Sequence, residues 1–235
     1  MLILAIAALF EKNSKMCYNI DMVIGTNKEL VEWLRKKDVL KLPLAKEAFL
    51  AVDRKDFVPE HLANVVYFDN PLPIGFGQTI SQPYTVAFML DLLKPQPGDK
   101  ILDIGAGSGW QSALLAYIVS AKGKRGEVVA VERIEELKNM TEANAEKYGY
   151  IKKKIVKVMH ADAAEKIKPA PYFDKIISAA TTSQVLEAWI EQLKIGGRMV
   201  IPLEKSIWLF VKKDKDKVEG KEFPGFAFVP LITNI

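Results

Sequence analysis

Hydrophobic and polar positions change their spacing part-way along the chain. Over residues 27–60 the apolar positions recur at helical spacing. Thr26 or Asn27 can cap a helix that carries Leu30, Val31 and Leu34 on one face, with Glu29 and Glu32 in its first turns. Pro43 can open a second helix through Ala45, Ala48 and Phe49, and Pro59 ends or restarts structure. Residues 67–83 break the pattern: three prolines and two glycines in 17 residues exclude a regular helix or a central strand. This stretch reads as a long shaped loop, and loops of that length are often functional. A helix over Tyr84–Leu93 follows, and Pro95-Gln-Pro97-Gly98 makes a turn.

From Asp99 short apolar runs alternate with helical stretches. Strands are predicted at Lys100–Ile104, Val128–Glu132, Ile155–Met159, Phe173–Ser178 and Arg198–Ile201. Helices are predicted over Trp110–Val119, Glu135–Tyr148 and Val185–Leu193, the last stopped by Gly196-Gly197. Such alternation gives a parallel sheet with helices on both faces. At the end, Ile207–Val211 and Phe226–Leu231 read as two strands with no helix between them, pairing antiparallel at a sheet edge. The charged link Lys212–Glu222 between them reads as a solvated hairpin tip.

Composition narrows the class. The chain has 235 residues, enough for one large domain or one domain with an appendage. Three parts are expected: an extension over 1–25, a helical and loop-rich subdomain over 26–95, and a sheet domain over 96–235. Lys+Arg 33 against Asp+Glu 29 is only mildly basic, so neither nucleic acid nor membrane is expected as a partner. A single cysteine, Cys17, excludes an intrachain disulfide and suits a reducing, cytoplasmic setting. With two histidines, His61 and His160, no metal site and no imidazole base is expected. The apolar run Leu2–Phe10 falls short of the roughly 20 residues that span a bilayer. It lacks a basic flank, and it reads as an extension packed as a short helix or as sequence ahead of a start at Met16 or Met22.

The candidate chemistry lies at the first strand-to-helix junction, Ile101-Leu-Asp103-Ile-Gly105-Ala-Gly107-Ser-Gly109. Glycines there let the backbone turn tightly and approach a ligand closely. Glu132 ends the next strand, where a carboxylate can accept both hydroxyl protons of a ribose. This pattern binds a nucleoside-bearing cofactor without choosing between a dinucleotide and S-adenosylmethionine. Two carboxylates favour the latter. Asp103, just before the glycines, repels a pyrophosphate but tolerates ammonium and sulfonium charges. Asp162, after the third strand, can accept from an adenine amino group or cap a helix over Ala163–Ile167.

The glycine loop, Glu132, Tyr172-Phe-Asp-Lys-Ile-Ile177 and Ile190-Glu-Gln-Leu-Lys-Ile-Gly-Gly-Arg-Met-Val-Ile-Pro202 together resemble a class I methyltransferase. Four further stretches resemble the protein-L-isoaspartate O-methyltransferase family. They are Val52-Asp-Arg54…Phe57-Val-Pro59, Tyr67-Phe-Asp-Asn-Pro-Leu-Pro-Ile-Gly75, Gly77-Gln-Thr-Ile-Ser-Gln-Pro83 and Phe226-Ala-Phe-Val-Pro-Leu231. The resemblance covers about residues 27–232. It implies an α/β fold, a doubly wound, mostly parallel, Rossmann-like sheet. It also implies methyl transfer from S-adenosyl-L-methionine to the α-carboxylate of L-isoaspartyl residues in damaged peptides and proteins, leaving S-adenosyl-L-homocysteine and needing no metal.

By resemblance Ser81 is the active-site serine, with Thr79, Ile80, Gln82 and Val229 shaping the peptide site. Asp103, Gly105, Gly107, Gly109, Glu132, Asp162 and Ala163 form the cofactor site, and Trp110 either covers the cofactor or packs in the core. Three positions depart from the family pattern: Ala163 in place of a glycine, Thr181-Thr182 without the usual proline, and Leu203-Glu204 where a glycine is usual. These departures keep two alternatives open: a related methyltransferase acting on a modified peptide carboxylate or a tRNA base, and a cofactor-binding module without catalysis.

Overall fold

The computed structural model describes residues 24–167, 172–215 and 217–232. The extension over 1–25 therefore lies almost wholly outside the described residues. The front of the chain folds as expected. Helix α1 (Asn27–Lys36) is capped by Thr26, whose hydroxyl accepts from Glu29 N, and buries Leu30, Val31 and Leu34. Helix α2 (Pro43–Ala51) starts on Pro43 and buries Ala45, Ala48 and Phe49. Short 3-10 turns at Arg54–Phe57 and Glu60–Val65 follow.

The Pro/Gly-rich stretch contains a small hairpin that its composition concealed. Strands β1 (Leu72–Gly75) and β2 (Gln78–Ile80) pair antiparallel, apart from the main sheet. Gly75, Phe76 and Gly77 turn the chain at positive φ between them. Helix α3 (Pro83–Leu93) then leads to the main sheet.

That sheet has seven strands: β3 (Lys100–Ile104), β4 (Glu127–Glu132), β5 (Val156–His160), β6 (Phe173–Ser178), β7 (Leu193–Leu203), β8 (Ser206–Asp214) and β9 (Lys217–Pro224). Their spatial order is β5-β4-β3-β6-β7-β8-β9. Pairing is parallel from β5 through β7 and antiparallel at β7–β8 and β8–β9. The central strands are apolar on both faces because helices cover both. Helices α4 (Trp110–Val119) and α5 (Glu135–Glu146) fill the crossovers on one side of the order. Helix α6 (Glu187–Gln192) precedes β7. The strand order reverses beside β3, between β4 and β6, which places a ligand crevice at the carboxyl ends of these strands. One contiguous core joins Leu30, Phe49 and Leu90 of the front to Ile101, Leu114 and Val128 of the sheet region.

Three sequence expectations are corrected here. The edge partner of β8 is β9, built from the charged link, and not Phe226–Leu231. An outermost strand keeps one side in water, so the polar run Lys217–Pro224 serves well. Helix α6 ends at Gln192, and Gly196-Gly197 lie inside β7, where Lys194–Gly197 form a bulge against β6. No helix follows Asp162; a turn does, with Ala164 N donating to Asp162 Oδ1 at 2.8 Å. Among the described residues no helix is long and apolar enough to cross a membrane.

Candidate active site

The glycine loop leaves β3 with Gly105, Gly107 and Gly109 all at positive φ. Gly105 N and Ala106 N donate to Val131 O at 2.9 and 3.1 Å, fastening the loop to the end of β4. Glu132 follows directly and is buried. Its Oε2 accepts from Gly107 N at 3.0 Å, and its Oε1 accepts from Arg133 N and Ile134 N at 2.8 and 2.9 Å. Three of a carboxylate's roughly four acceptor positions are thus spent on backbone, leaving room for one outside hydroxyl.

The tip of β5 lies alongside, with Ala161 N donating to Glu132 O at 3.2 Å. A cleft of about 600 Å³ opens over these tips. Its walls include Gly105, Gly107, Glu132, Ala161, Ala163 and Ala180, with Val229–Ile232 crossing above. Ala163 adopts no left-handed φ, so the alanine in place of a glycine carries no backbone strain.

A second cleft of about 650 Å³ adjoins the first. Ser81 lines it with Pro71, Gln82, Thr85, Ala227 and Phe228. Thr79, Ala179 and Val229 line both clefts, so the two share a wall. The Ser81 hydroxyl is half-buried and takes no hydrogen bond among the described residues. Residues 226–231 do not form a strand but a strap. Gly225 N and Phe226 N donate to Lys205 O at 3.1 Å, Thr181 N donates to Val229 O at 2.9 Å, and Leu231 N donates to Thr181 O at 2.7 Å.

Several expected site residues stand back from both clefts. Asp103 is fully buried behind the loop, accepting from Gln111 Nε2 at 2.7 Å and Ser112 Oγ at 2.5 Å. Burial pushes its carboxyl up to about 6, the two hydrogen bonds oppose this, and nearby Glu132 adds to it. Gly109 serves helix packing: a Cβ there would lie 3.1 Å from Thr141 Cα and O. Ile80 belongs to the core, and Asp162 is flanked by the lining residues Ala161 and Ala163 without being one. Trp110 is buried 5.4 Å edge-on to Phe49 and does not reach the cleft. Gln82 faces the second cleft, although its Nε2 is engaged by Asp69 Oδ2 at 2.8 Å.

The departures at Thr182, Leu203 and Glu204 also lie outside the walls of both clefts. Thr182 N donates to Pro202 O, a bond that proline could not make, and Glu204 holds the left-handed conformation that glycine would suit.

A family model of protein-L-isoaspartate(D-aspartate) O-methyltransferase matches residues 25–235, nearly the whole chain. The chain belongs to that family. Among relatives, the protein-L-isoaspartate O-methyltransferase of Methanopyrus kandleri is 42% identical over 207 residues, covering 86% of this chain and 89% of the relative. That of Ignicoccus hospitalis is 40% identical over 210 residues, covering 87% and 96%. A solved protein-L-isoaspartate O-methyltransferase superposes with a TM-score of 0.79 at 26% identity, over 88% of this chain and 66% of the other. A chain from Plasmodium falciparum assigned to the same enzyme class, solved with S-adenosyl-L-homocysteine, gives 0.81 at 24% identity over 89% and 99%, which speaks to the fold.

Within the family framework, the structure adds residues to which the sequence gave no role. Ala179 and Phe228 line the second cleft, and the chain positions them only through the β6 turn and the strap. Arg54 and Asp69 lie beneath the Ser81 segment. Arg54 is fully buried and donates to the carbonyls of Val66, Phe68, Asn70 and Ser81. Burial pulls its guanidinium down to about 9, with Asp69 opposing, so it stays charged at neutral pH. Burial pushes the Asp69 carboxyl up, while Tyr84 N, Gln82 and Arg54 hold it down. Both residues fall within motifs that carry the family resemblance, which is the one signal that singles them out.

Proposed function

We propose that this chain is the repair enzyme its family name describes. It moves a methyl group from S-adenosyl-L-methionine to the α-carboxylate of an L-isoaspartyl residue, with Ser81 meeting that carboxylate. The observation that carries the reading is the shared wall of Thr79, Ala179 and Val229 between a cleft over the glycine loop and a cleft at Ser81. Two reactants in these adjoining clefts would meet where the clefts join, beside those three residues.

The cofactor cleft suits its ligand. Gly105 and Gly107 line the cleft at positive φ, and Glu132 keeps one acceptor position for a ribose hydroxyl. The apolar walls Ala161, Ala163 and Ile134 suit an adenine face. Bound there, S-adenosyl-L-methionine supplies a methyl group already activated on a sulfonium.

The remaining work falls to the protein. An α-carboxylate with a pKa of about 3.3–3.7 is ionised at neutral pH, so no general base is required. The Ser81 hydroxyl, without a partner among the described residues, donates its hydrogen to one carboxylate oxygen and leaves the second directed at the cofactor cleft. Val229 and Phe228 exclude water from the attacking oxygen, which strengthens it as a nucleophile. A cytoplasmic setting belongs to the same proposal, on the strength of one cysteine in 235 residues.

The test is transfer of an isotope-labelled methyl group to an isoaspartyl peptide and to its aspartyl twin. Labelling of the isoaspartyl peptide alone is expected. Equal labelling of both, or of neither, would sink the proposal. Ser81→Ala should lower kcat by about 10²-fold, the scale of a lost orienting contact, while S-adenosyl-L-homocysteine affinity by calorimetry stays within about twofold.

A further inference from the structure

We infer that Arg54 is a positioning residue for Ser81, fixing the serine through the backbone that carries it. The inference rests on the reading of Ser81 given above. Arg54 has no exposed surface, yet its hydrogen bonds go to carbonyl oxygens only: Val66, Phe68 at 3.5 Å, Asn70 at 2.9 Å and Ser81 at 3.1 Å. Its Nε has no partner among the described residues. Burying a guanidinium is costly, and here the compensation comes from the two ends of one excursion of the chain. Residues 66–70 enter the β1–β2 hairpin and Ser81 leaves it. One side chain therefore clasps the base of the hairpin.

The clasp also reaches the cofactor side. The guanidinium lies 5.4 Å from the ring of Trp110, the first residue of the helix behind the glycine loop. At the far end of the hairpin, Ile74 Cδ1 sits 3.3 Å from where a Cβ on Gly107 would be. Asp69 secures the residues after Ser81, taking Gln82 Nε2 at 2.8 Å and Tyr84 N at 2.7 Å. Ser81 thus hangs between two anchored points. Its hydroxyl has no partner among the described residues, so the backbone at Ser81 sets where the side chain enters the second cleft. Lysine cannot replace this arrangement, because a single ammonium lacks the planar fork that spans both ends of the loop.

The test uses the full chain, with kcat and KM for the isoaspartyl peptide and S-adenosyl-L-homocysteine affinity by calorimetry. Activity of the unaltered enzyme is measured first; its absence would remove the functional reading and not this inference alone. Arg54→Lys, shown folded by circular dichroism, should lower kcat by about 20-fold or more, in keeping with the cost of a small misplacement. Cofactor affinity should stay within about twofold. In the Ser81→Ala background the same change should cost less than about twofold, because no hydroxyl remains to be placed. Unchanged kcat in Arg54→Lys, or losses that multiply in the double variant, would overturn the inference. If Arg54→Lys does not fold, Arg54→Gln decides, since its amide keeps two donors but cannot span both ends of the hairpin. It should lower kcat about 20-fold or more, again without further cost on Ser81→Ala, and an unchanged kcat there overturns the inference.

Discussion

Asp103 shows how a residue can matter at a site without entering it. Sequence placed it beside the cofactor because it precedes the glycines, but its carboxylate is turned inward onto Gln111 and Ser112. Burial pushes it up to about 6 from an ordinary 3.8. The folded state therefore holds this proton to higher pH than the unfolded chain does. The stability it confers is complete below 3.8 and is lost as pH rises through 6, at most about 3 kcal/mol. Asp103→Asn removes that titration and keeps one acceptor oxygen. Urea unfolding at pH 7 and pH 4 should show the stability difference between the two proteins moving towards the unaltered enzyme by up to about 3 kcal/mol at the lower pH. A difference that stays constant between the two pH values would refute the account. Arg54 is the opposite case. Sequence offered Arg54 only as part of a family motif with no role attached, because the four carbonyls that receive it lie 12 to 27 positions away.

Elements were legible where burial is two-sided and obscure where it is not. Strand β4 has an unbroken apolar centre, and β3 and β6 each bury a pair of adjacent apolar residues, so their place in the sheet could be read directly. Strand β9 has only half-buried Val218 and Phe223 among exposed residues, and it resembles a solvated link. The strap 226–231 is more apolar but is held by backbone bonds to Thr181 and Lys205 and not by a strand ladder, so its composition mimics a strand. Residue Lys212, at the start of the supposed tip, is buried with Nζ donating to Ile190 O at 2.7 Å, which ties β8 to α6. At the glycine loop the ambiguity is of another kind: all three glycines look alike, but their neighbours differ. Gly109 approaches the backbone of α5, so Gly109→Ala places a methyl group 3.1 Å from Thr141 O at a φ of +86°. This variant should lose about 2–4 kcal/mol of stability by urea unfolding, from strain and a separated α4–α5 contact. At Gly105, by contrast, an added Cβ meets nothing nearer than 3.6 Å, so the penalty there should be smaller and should fall chiefly on cofactor affinity. Equal losses at the two positions would refute this division of labour.

On the scale of the whole molecule, the reaction site belongs to no single stretch of sequence. The hairpin base supplies Ser81 and Thr79, the sheet supplies the glycine loop and Glu132, and the strap supplies Phe228 and Val229. The strap is the least integrated of the three. Phe226 stacks 5.1 Å from Phe88 on α3, Phe228 and Leu231 pack half-buried against the core, and among the described residues the backbone bonds run only to Lys205 and Thr181. The seven strands close without it, because β9 ends at Pro224. Ending the chain after Gly225 should therefore leave the sheet folded, with its far-ultraviolet circular dichroism retained. The same truncation strips the wall that closes both clefts. S-adenosyl-L-homocysteine affinity should fall by about 10-fold or more, equivalent to about 1.4 kcal/mol, and peptide KM should rise in the same variant. The thermal shift that a fixed excess of S-adenosyl-L-homocysteine gives the complete chain should shrink accordingly, since ligand stabilisation follows the logarithm of ligand concentration over Kd. If cofactor affinity survives and only peptide KM rises, the strap belongs to the Ser81 cleft alone, and the wall shared by the two clefts is not what brings the reactants together.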